Sequence, residues 1–189
     1  MFSQIPKFAV LGSARELEDS EISRKAFQLG EEIGKLGGIV LTGGCPGLPH
    51  MAALGAKNSG GLSIAVSPAM NKIEHLERFC YPVDSDVMIF TGMGNKGRNV
   101  ILIRSADIAL FVGGGIGTLN EFTIAFDELN HGHVIGVLSG SGGLSDTFLD
   151  IAARSGRTPL ASLLTEGNPR LLVQNSFTEF ARNGDRVST

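Results

Sequence analysis

The stretch Gly113-Gly-Gly-Ile-Gly-Thr-Leu-Asn-Glu121 has the residue types and spacing best suited to chemistry in this chain. It follows the apolar run 108–112 and leads into a helical pattern starting near Thr118. Glycines that turn the chain there leave backbone N–H groups free. The positive end of the helix dipole adds to them, so the position suits an anion such as a phosphate. Gly114, Gly115 and Gly117 supply the close backbone approach, and the Thr118 hydroxyl offers one more donor. A purely structural account competes, because Thr118 and Glu121 are spaced as a capping box, each side chain satisfying the other's backbone N–H. Three consecutive glycines favour the ligand, since a cap needs no such clearance.

A second glycine-rich stretch, Gly92-Met-Gly-Asn-Lys-Gly97, reads as G-x-G-x-x-G between a strand and a helix. The dinucleotide fingerprint also needs an acidic residue about 20 positions on, at the end of the next strand. Asp107 comes too early and Glu121 lies on the following helix. With Arg98-Asn99 the stretch imitates a Walker loop, but the Lys and hydroxyl that hold phosphate and magnesium are replaced. Neither NAD binding nor ATP hydrolysis is expected. Arg98 opens the next helix, where the dipole disfavours a cation. A ligand phosphate or Glu121 would compensate; the plain alternative is a solvated arginine. Arg104 and Asp107 read as a local ion pair.

Other reactive residues carry less. His131 and His133 flank Gly132 in a turn, with no cysteine or carboxylate set to complete a metal site, so no metal is expected. His50 follows the loop 43–47 closely enough to touch a ligand there. Cys45 and Cys80 show no paired spacing and read as reduced thiols with packing roles. There is no G-x-S-x-G elbow, and the serine-rich stretch 139–145 has no adjacent base.

These residues need a scaffold that brings them to one edge. Six short apolar runs, 8–11, 39–41, 62–66, 87–90, 108–112 and 134–138, alternate with helical stretches, as strands buried on both faces do. Ile22, Ala26, Leu29, Ile33 and Leu36 form one helical face, capped by Asp19 or Ser20 and ended by Gly37. Further helices are expected from near Leu48–Pro49 to Gly60–Gly61, over 98–105, over 119–129, and over 169–181, with a frayed end from Asn183. The polar stretch 69–85 reads as a loop or short helix at the rim. Such alternation predicts an α/β fold: a Rossmann-like, doubly wound parallel sheet in a single three-layer domain spanning 1–189. Ligands bind beyond the carboxyl ends of such strands. Gly12-Ser13, Thr42-Gly43-Gly44, Ser67-Pro68, Thr91-Gly92, Gly113-Gly114-Gly115 and Ser139-Gly140 stand there, a rim of backbone N–H groups and small side chains.

Composition narrows the classes. At 189 residues the chain suits one domain that buries a sizeable core without staples. The hydrophobic share of 42% and charged share of 19% are those of a globular protein. A net charge of -3 gives no basic stripe for a nucleic-acid partner. No apolar run approaches a bilayer span, and residues 1–12 lack a secretory pattern. The expected location is cytoplasmic, with no membrane partner.

The Gly113–Glu121 stretch resembles the P-G-G-x-G-T-x-x-E motif of the family once labelled "lysine decarboxylase-like". Its characterised members are LOG-type cytokinin riboside monophosphate phosphoribohydrolases. The likeness covers most of the chain, including the Gly12-Ser13 turn, the Gly43-Gly44-Cys-Pro-Gly47 loop and the Arg98 helix. It implies a Rossmann-like homo-oligomer, a dimer or a dimer of dimers, that cleaves the N-glycosidic bond of a nucleoside 5′-monophosphate without a cofactor. On that resemblance Glu121 binds the ribose hydroxyls and opposes an oxocarbenium-like charge, and Arg98 matches the arginine of the family's Arg-Lys pair. Gly114, Gly115, Gly117 and Thr118 form the phosphate loop, with Gly12, Ser13, Gly43, Gly44 and Asn99 as further ligand contacts. Three positions depart from the pattern: Asn99 replaces the lysine, Gly113 the motif's proline, and the loop 43–49 carries two prolines. These features are closer to another branch of the superfamily. A further branch is similar to molybdenum cofactor carriers, which bind a phosphorylated pterin without catalysis, and the superfamily includes nucleotide-sensing domains. Two other readings therefore stand beside hydrolysis: a carrier or sensor of a phosphorylated nucleotide or pterin, and an oligomeric scaffold whose glycines only pack helices on strands. Nothing resembles a pyridoxal-phosphate lysine site, so lysine decarboxylation is not expected.

Overall fold

Uninterrupted apolar runs become the strands. In the computed structural model, which describes residues 5–15 and 20–187, these are β1 (Lys7–Gly12), β2 (Ile39–Thr42), β3 (Leu62–Ser67), β4 (Val87–Phe90), β5 (Ile108–Val112) and β6 (Val134–Leu138). A seventh, β7 (Ser162–Glu166), pairs with β6 at the sheet edge. All pairings are parallel, and the order is β4-β3-β2-β1-β5-β6-β7. The chain moves outward from β1 to β4, then returns to lay β5 against β1, with Gly12 level with Val112.

Alternate side chains of the central strands feed two cores. Phe8, Val10, Ile108, Leu110 and Val112 pack under α1 (Glu21–Lys35), α2 (Leu48–Asn58) and α7 (Pro169–Val187). Ala9, Leu11, Phe111, Ile135 and Val137 pack under α4 (Gly94–Arg104), α5 (Ile116–Glu128) and α6 (Phe148–Arg154). The result is the expected three-layer, doubly wound Rossmann-like domain. On the second face Phe122 stacks on Phe148 at 4.3 Å between centroids, and Phe111 meets both edge-on. That aromatic trio fixes α5 against the sheet.

Local details refine the sequence reading. Ser20 caps α1, accepting from the Ser23 N–H at 3.1 Å; Asp19 lies outside the described residues. The rim stretch after β3 contains a short helix, α3 (Lys72–Glu77). The expected frayed tail is instead helical to Val187, because buried Asn183 donates to Ser162 Oγ at 3.2 Å and ties α7 to β7. Arg104 and Asp107 are not a pair: Arg104 binds Glu128, and Asp107 binds Lys7 at 2.6 Å. Each carboxylate is brought by a neighbouring element rather than by sequence proximity. Among the described residues no helix is long and apolar enough to cross a membrane.

Candidate ligand-binding site

β1 and β5 lie side by side while their following segments diverge, which opens a crevice at the carboxyl edge of the sheet. A cavity of about 600 Å³ occupies it. Its wall is built from the turn after β1, the first two turns of α4 and α5, and single residues from the β2–α2 and α3–β4 connections.

The α5 end of the wall is open backbone. Gly113 and Gly114 take left-handed φ values of 57° and 98°, reversing the chain so that α5 starts at Ile116 with Gly115 as its N-cap. Gly115 has no side chain to cap with, so the first N–H groups of α5 have no intrahelical or cap partner. Thr118 is the third helical residue, not the cap, so the capping box with Glu121 does not form. A Cβ on Gly115 or Gly117 would meet no protein atom within 4 Å; both border the cavity. The loop after β6 fixes this turn from behind. Ser141 Oγ accepts from the Gly113 N–H at 2.9 Å, and Ser145 Oγ donates to the Gly113 carbonyl oxygen. The serine-rich stretch thus braces the glycine turn, and Asp146 in turn accepts from the Ser141 and Gly142 N–H groups.

Arg98 and Glu121 meet at the cavity floor. α4 starts at Gly94 rather than near Arg98, which places Arg98 in its second turn, beyond the strongest reach of the dipole. What demands an anion is burial. Arg98 is 5% exposed and Glu121 7%, so the solvated-arginine reading does not hold. Arg98 Nη1 lies 3.5 Å from Glu121 Oε1, while Arg98 Nε is buried with no hydrogen-bond partner. With its amide nitrogen turned toward acceptors, Asn99 donates to the same Glu121 oxygen at 3.1 Å and to the Asn95 carbonyl at 2.9 Å. Burial pushes the Glu121 carboxyl up to about 7, with Arg98 and Lys96 pulling the other way. Burial likewise lifts the Cys45 thiol to about 11, so this cysteine lines the cavity as a neutral group rather than a nucleophile.

The structure brings Gly12, Ser13, Arg98, Asn99, Gly115, Gly117, Thr118 and Glu121 to one cavity wall. Gly43, Gly44 and Gly114 stand behind it. A Cβ on Gly43 would overlap the Arg98 guanidinium, so the bare backbone there makes room for the arginine. Gly44, with φ 66°, sits against buried His75, and a Cβ on Gly114 would overlap the Thr118 side chain. His50 pairs with Asp84 at 2.8 Å and is not among the lining residues. Sequence reasoning missed Arg15, Lys96, Cys45 and Tyr81 as wall residues. Arg15 and Lys96 each stand within a few positions of a glycine turn, a readable signal. Tyr81 lies in a stretch with no pattern at all. Arg15, Lys96 and Arg98 line the cavity with one carboxylate, Glu121, and the starts of α4 and α5 share its wall.

Relatives with known sequence or structure fit this architecture. A protein of Archaeoglobus fulgidus described as uncharacterized is 38% identical over 110 residues, 58% of this chain and 68% of the relative. The X-ray structure of TM1055 matches with a TM-score of 0.75 at 23% identity, covering 92% of this chain and 99% of that one. The molybdenum cofactor binding protein of the phototrophic bacterium Rippkaea orientalis matches at 0.67 and 26% identity, covering 93% and 98%. DNA processing protein A from Helicobacter pylori, whose structure concerns single-stranded DNA binding, shares the fold at 0.61 and 16% identity, covering 92% and 81%. Residues 6–161 match a family description directly, in keeping with the resemblance carried by the Gly113–Glu121 motif: the chain belongs to the SLOG cluster4 family.

Proposed function

We propose that the cavity binds a nucleoside 5′-monophosphate and hydrolyses its N-glycosidic bond. The observation that carries this reading is the buried Arg98–Glu121 pair beside the open amino-terminus of α5 in one cavity. The phosphate sits on the N–H groups of the α5 first turn, with the Thr118 hydroxyl, and the ribose lies over Glu121. The bond between C1′ and the base nitrogen breaks, its electron pair leaving with the base, which takes up a proton. Water adds to C1′ and gives up a proton, leaving ribose 5-phosphate and free base. Positive charge grows on the ribose in between. A fixed carboxylate in a dry site opposes that charge far better than water does. Arg98 holds Glu121 in place and partly offsets the cost that burial imposes on its ionised form.

A second reading is favoured by two observations: Asn99 stands where the hydrolases carry lysine, and the molybdenum cofactor binding protein of Rippkaea orientalis matches nearly end to end. In it the same cavity carries or senses a phosphorylated nucleotide or pterin and leaves it intact. We also infer a cytoplasmic homo-oligomer with no nucleic-acid partner, on the family resemblance and the net charge of -3.

The deciding experiment incubates the protein with AMP, GMP, CMP and UMP and separates products by chromatography. Free base and ribose 5-phosphate from wild type, reduced at least about a hundredfold in Glu121→Gln, is the expected result, the scale of losing one preorganised charge-stabilising group. Binding without release moves the function to the carrier reading, and absence of both binding and release defeats the hydrolase reading and leaves only a pterin carrier.

A further inference from the structure

Among the described residues the cavity wall has one aromatic side chain, Tyr81. Tyr81 is also the only tyrosine of the chain. It comes from the α3–β4 connection, a segment that the sequence leaves without pattern, and the structure secures it there with unusual care.

Cys80, immediately before it, has φ 54°, the one left-handed non-glycine residue among those described. Such backbone is costly and persists where surrounding contacts impose it. The contacts come from His75, which is fully buried. Its Nε2 lies 2.8 Å from the Pro82 carbonyl oxygen, which can only accept, so that nitrogen carries the proton. Its Nδ1, 2.7 Å from Ser67 Oγ, then accepts from the hydroxyl, which itself accepts from the Ala69 N–H. The His75 carbonyl accepts from the Tyr81 N–H at 3.2 Å. The imidazole packs edge-on to the Tyr81 ring at 5.6 Å between centroids, and the Phe79 ring lies tilted against it at 5.6 Å. One imidazole therefore clamps both residues 81 and 82 to the end of β3. The Tyr81 ring remains half-buried, bordering the cavity that Arg98, Glu121 and Thr118 also line.

Resting on the nucleotide-binding reading of this cavity, we infer that Tyr81 is the platform on which the ligand's planar heteroaromatic ring lies, and that His75 is the residue positioning it. The phosphate and ribose are accounted for by backbone, hydroxyl and charge. Tyr81 is the one aromatic side chain among the described residues of the wall, and base–aromatic stacking tolerates any base while giving nothing to a ligand that has none. The site thus takes a phosphate ester bearing a planar heterocycle, and Tyr81 separates it from a bare sugar phosphate.

The test compares AMP with ribose 5-phosphate. The chain has no tryptophan, so its tyrosine emission comes from Tyr81 alone. AMP should quench that emission saturably, after correction for absorbance, and ribose 5-phosphate should leave it unchanged. By calorimetry, Tyr81→Ala should weaken AMP binding roughly tenfold or more, the scale of losing one base–aromatic stack. Its affinity for ribose 5-phosphate should stay within about twofold, and Tyr81→Phe should restore AMP binding. His75→Gln should weaken AMP in the same selective way. Equal loss of both ligands in Tyr81→Ala, or AMP binding without quenching in wild type, overturns the platform while leaving the phosphate site standing. If wild type binds neither ligand, the nucleotide reading falls and the platform with it. Should Tyr81→Ala not fold, the quenching comparison on wild type decides alone.

Discussion

Glu121 is in tension with its surroundings. Burial raises its carboxyl from an ordinary 4.5 to about 7, only partly offset by Arg98 and Lys96. Between those two values the native chain holds a proton that the unfolded chain has released. The stabilising contribution is therefore full below about pH 4.5 and lost as pH rises through 7. A shift of that size is worth at most about 3 kcal/mol. Glu121→Gln cannot ionise, so its stability should fall less between pH 5 and 8 than that of wild type, by about 1–3 kcal/mol in urea unfolding at constant salt. Parallel losses in the two proteins would mean that Glu121 ionises as an ordinary surface glutamate does. The chemistry proposed above needs the carboxylate, so activity should rise over the same pH interval in which this stability is lost. Stability is traded for a charge held out of water.

At the scale of elements, the α5 start shows the same trade in backbone form. Gly117 lies within the first turn of a helix, where glycine costs up to about 1 kcal/mol relative to alanine, and a methyl there would meet no protein atom. Folding gives no reason for the glycine; the proposed phosphate site does. Gly117→Ala should leave urea stability unchanged or raise it by up to about 1 kcal/mol while weakening AMP binding at least tenfold. Unchanged affinity would move the phosphate away from this turn. The motif 113–121 was legible because turn, dipole and apolar strand are all local signals. Its exact start was not: a Thr-x-x-Glu spacing reads as a cap unless the glycine two positions past Gly113 takes that role. Gly43 was singled out as a ligand contact, yet the reason for its bareness is the Arg98 guanidinium from a distant helix, which no local pattern encodes. β7 escaped because an edge strand paired on one side reads as Ser-Leu-Leu-Thr-Glu, too short and too polar at its ends to stand out. Tyr81 was invisible for a similar reason, since its placement depends on a buried imidazole reached through space rather than along a periodic element.

For the whole molecule, the topology decides where charge is concentrated. The chain carries a net -3, yet the reversal of strand order between β1 and β5 gathers Arg15, Lys96, Arg98 and two helix amino-termini around one cavity. On the function proposed above, that local charge favours a compact phosphorylated ligand over a polyanion lying across the surface of a chain with net negative charge. Ligand that binds only the native state stabilises it by about 2.7 kcal/mol at a hundred times its Kd. For a domain of this length that corresponds to a rise in Tm of roughly 5–10 °C. AMP at saturation should produce such a rise in wild type at moderate salt, and Arg98→Ala should abolish it. An oligothymidylate at equal phosphate concentration should produce none, because its charges cannot all enter a cavity of about 600 Å³. A rise with the oligonucleotide that vanishes steeply with salt would instead place counterion release, and hence an extended nucleic-acid surface, at the centre of this protein's binding.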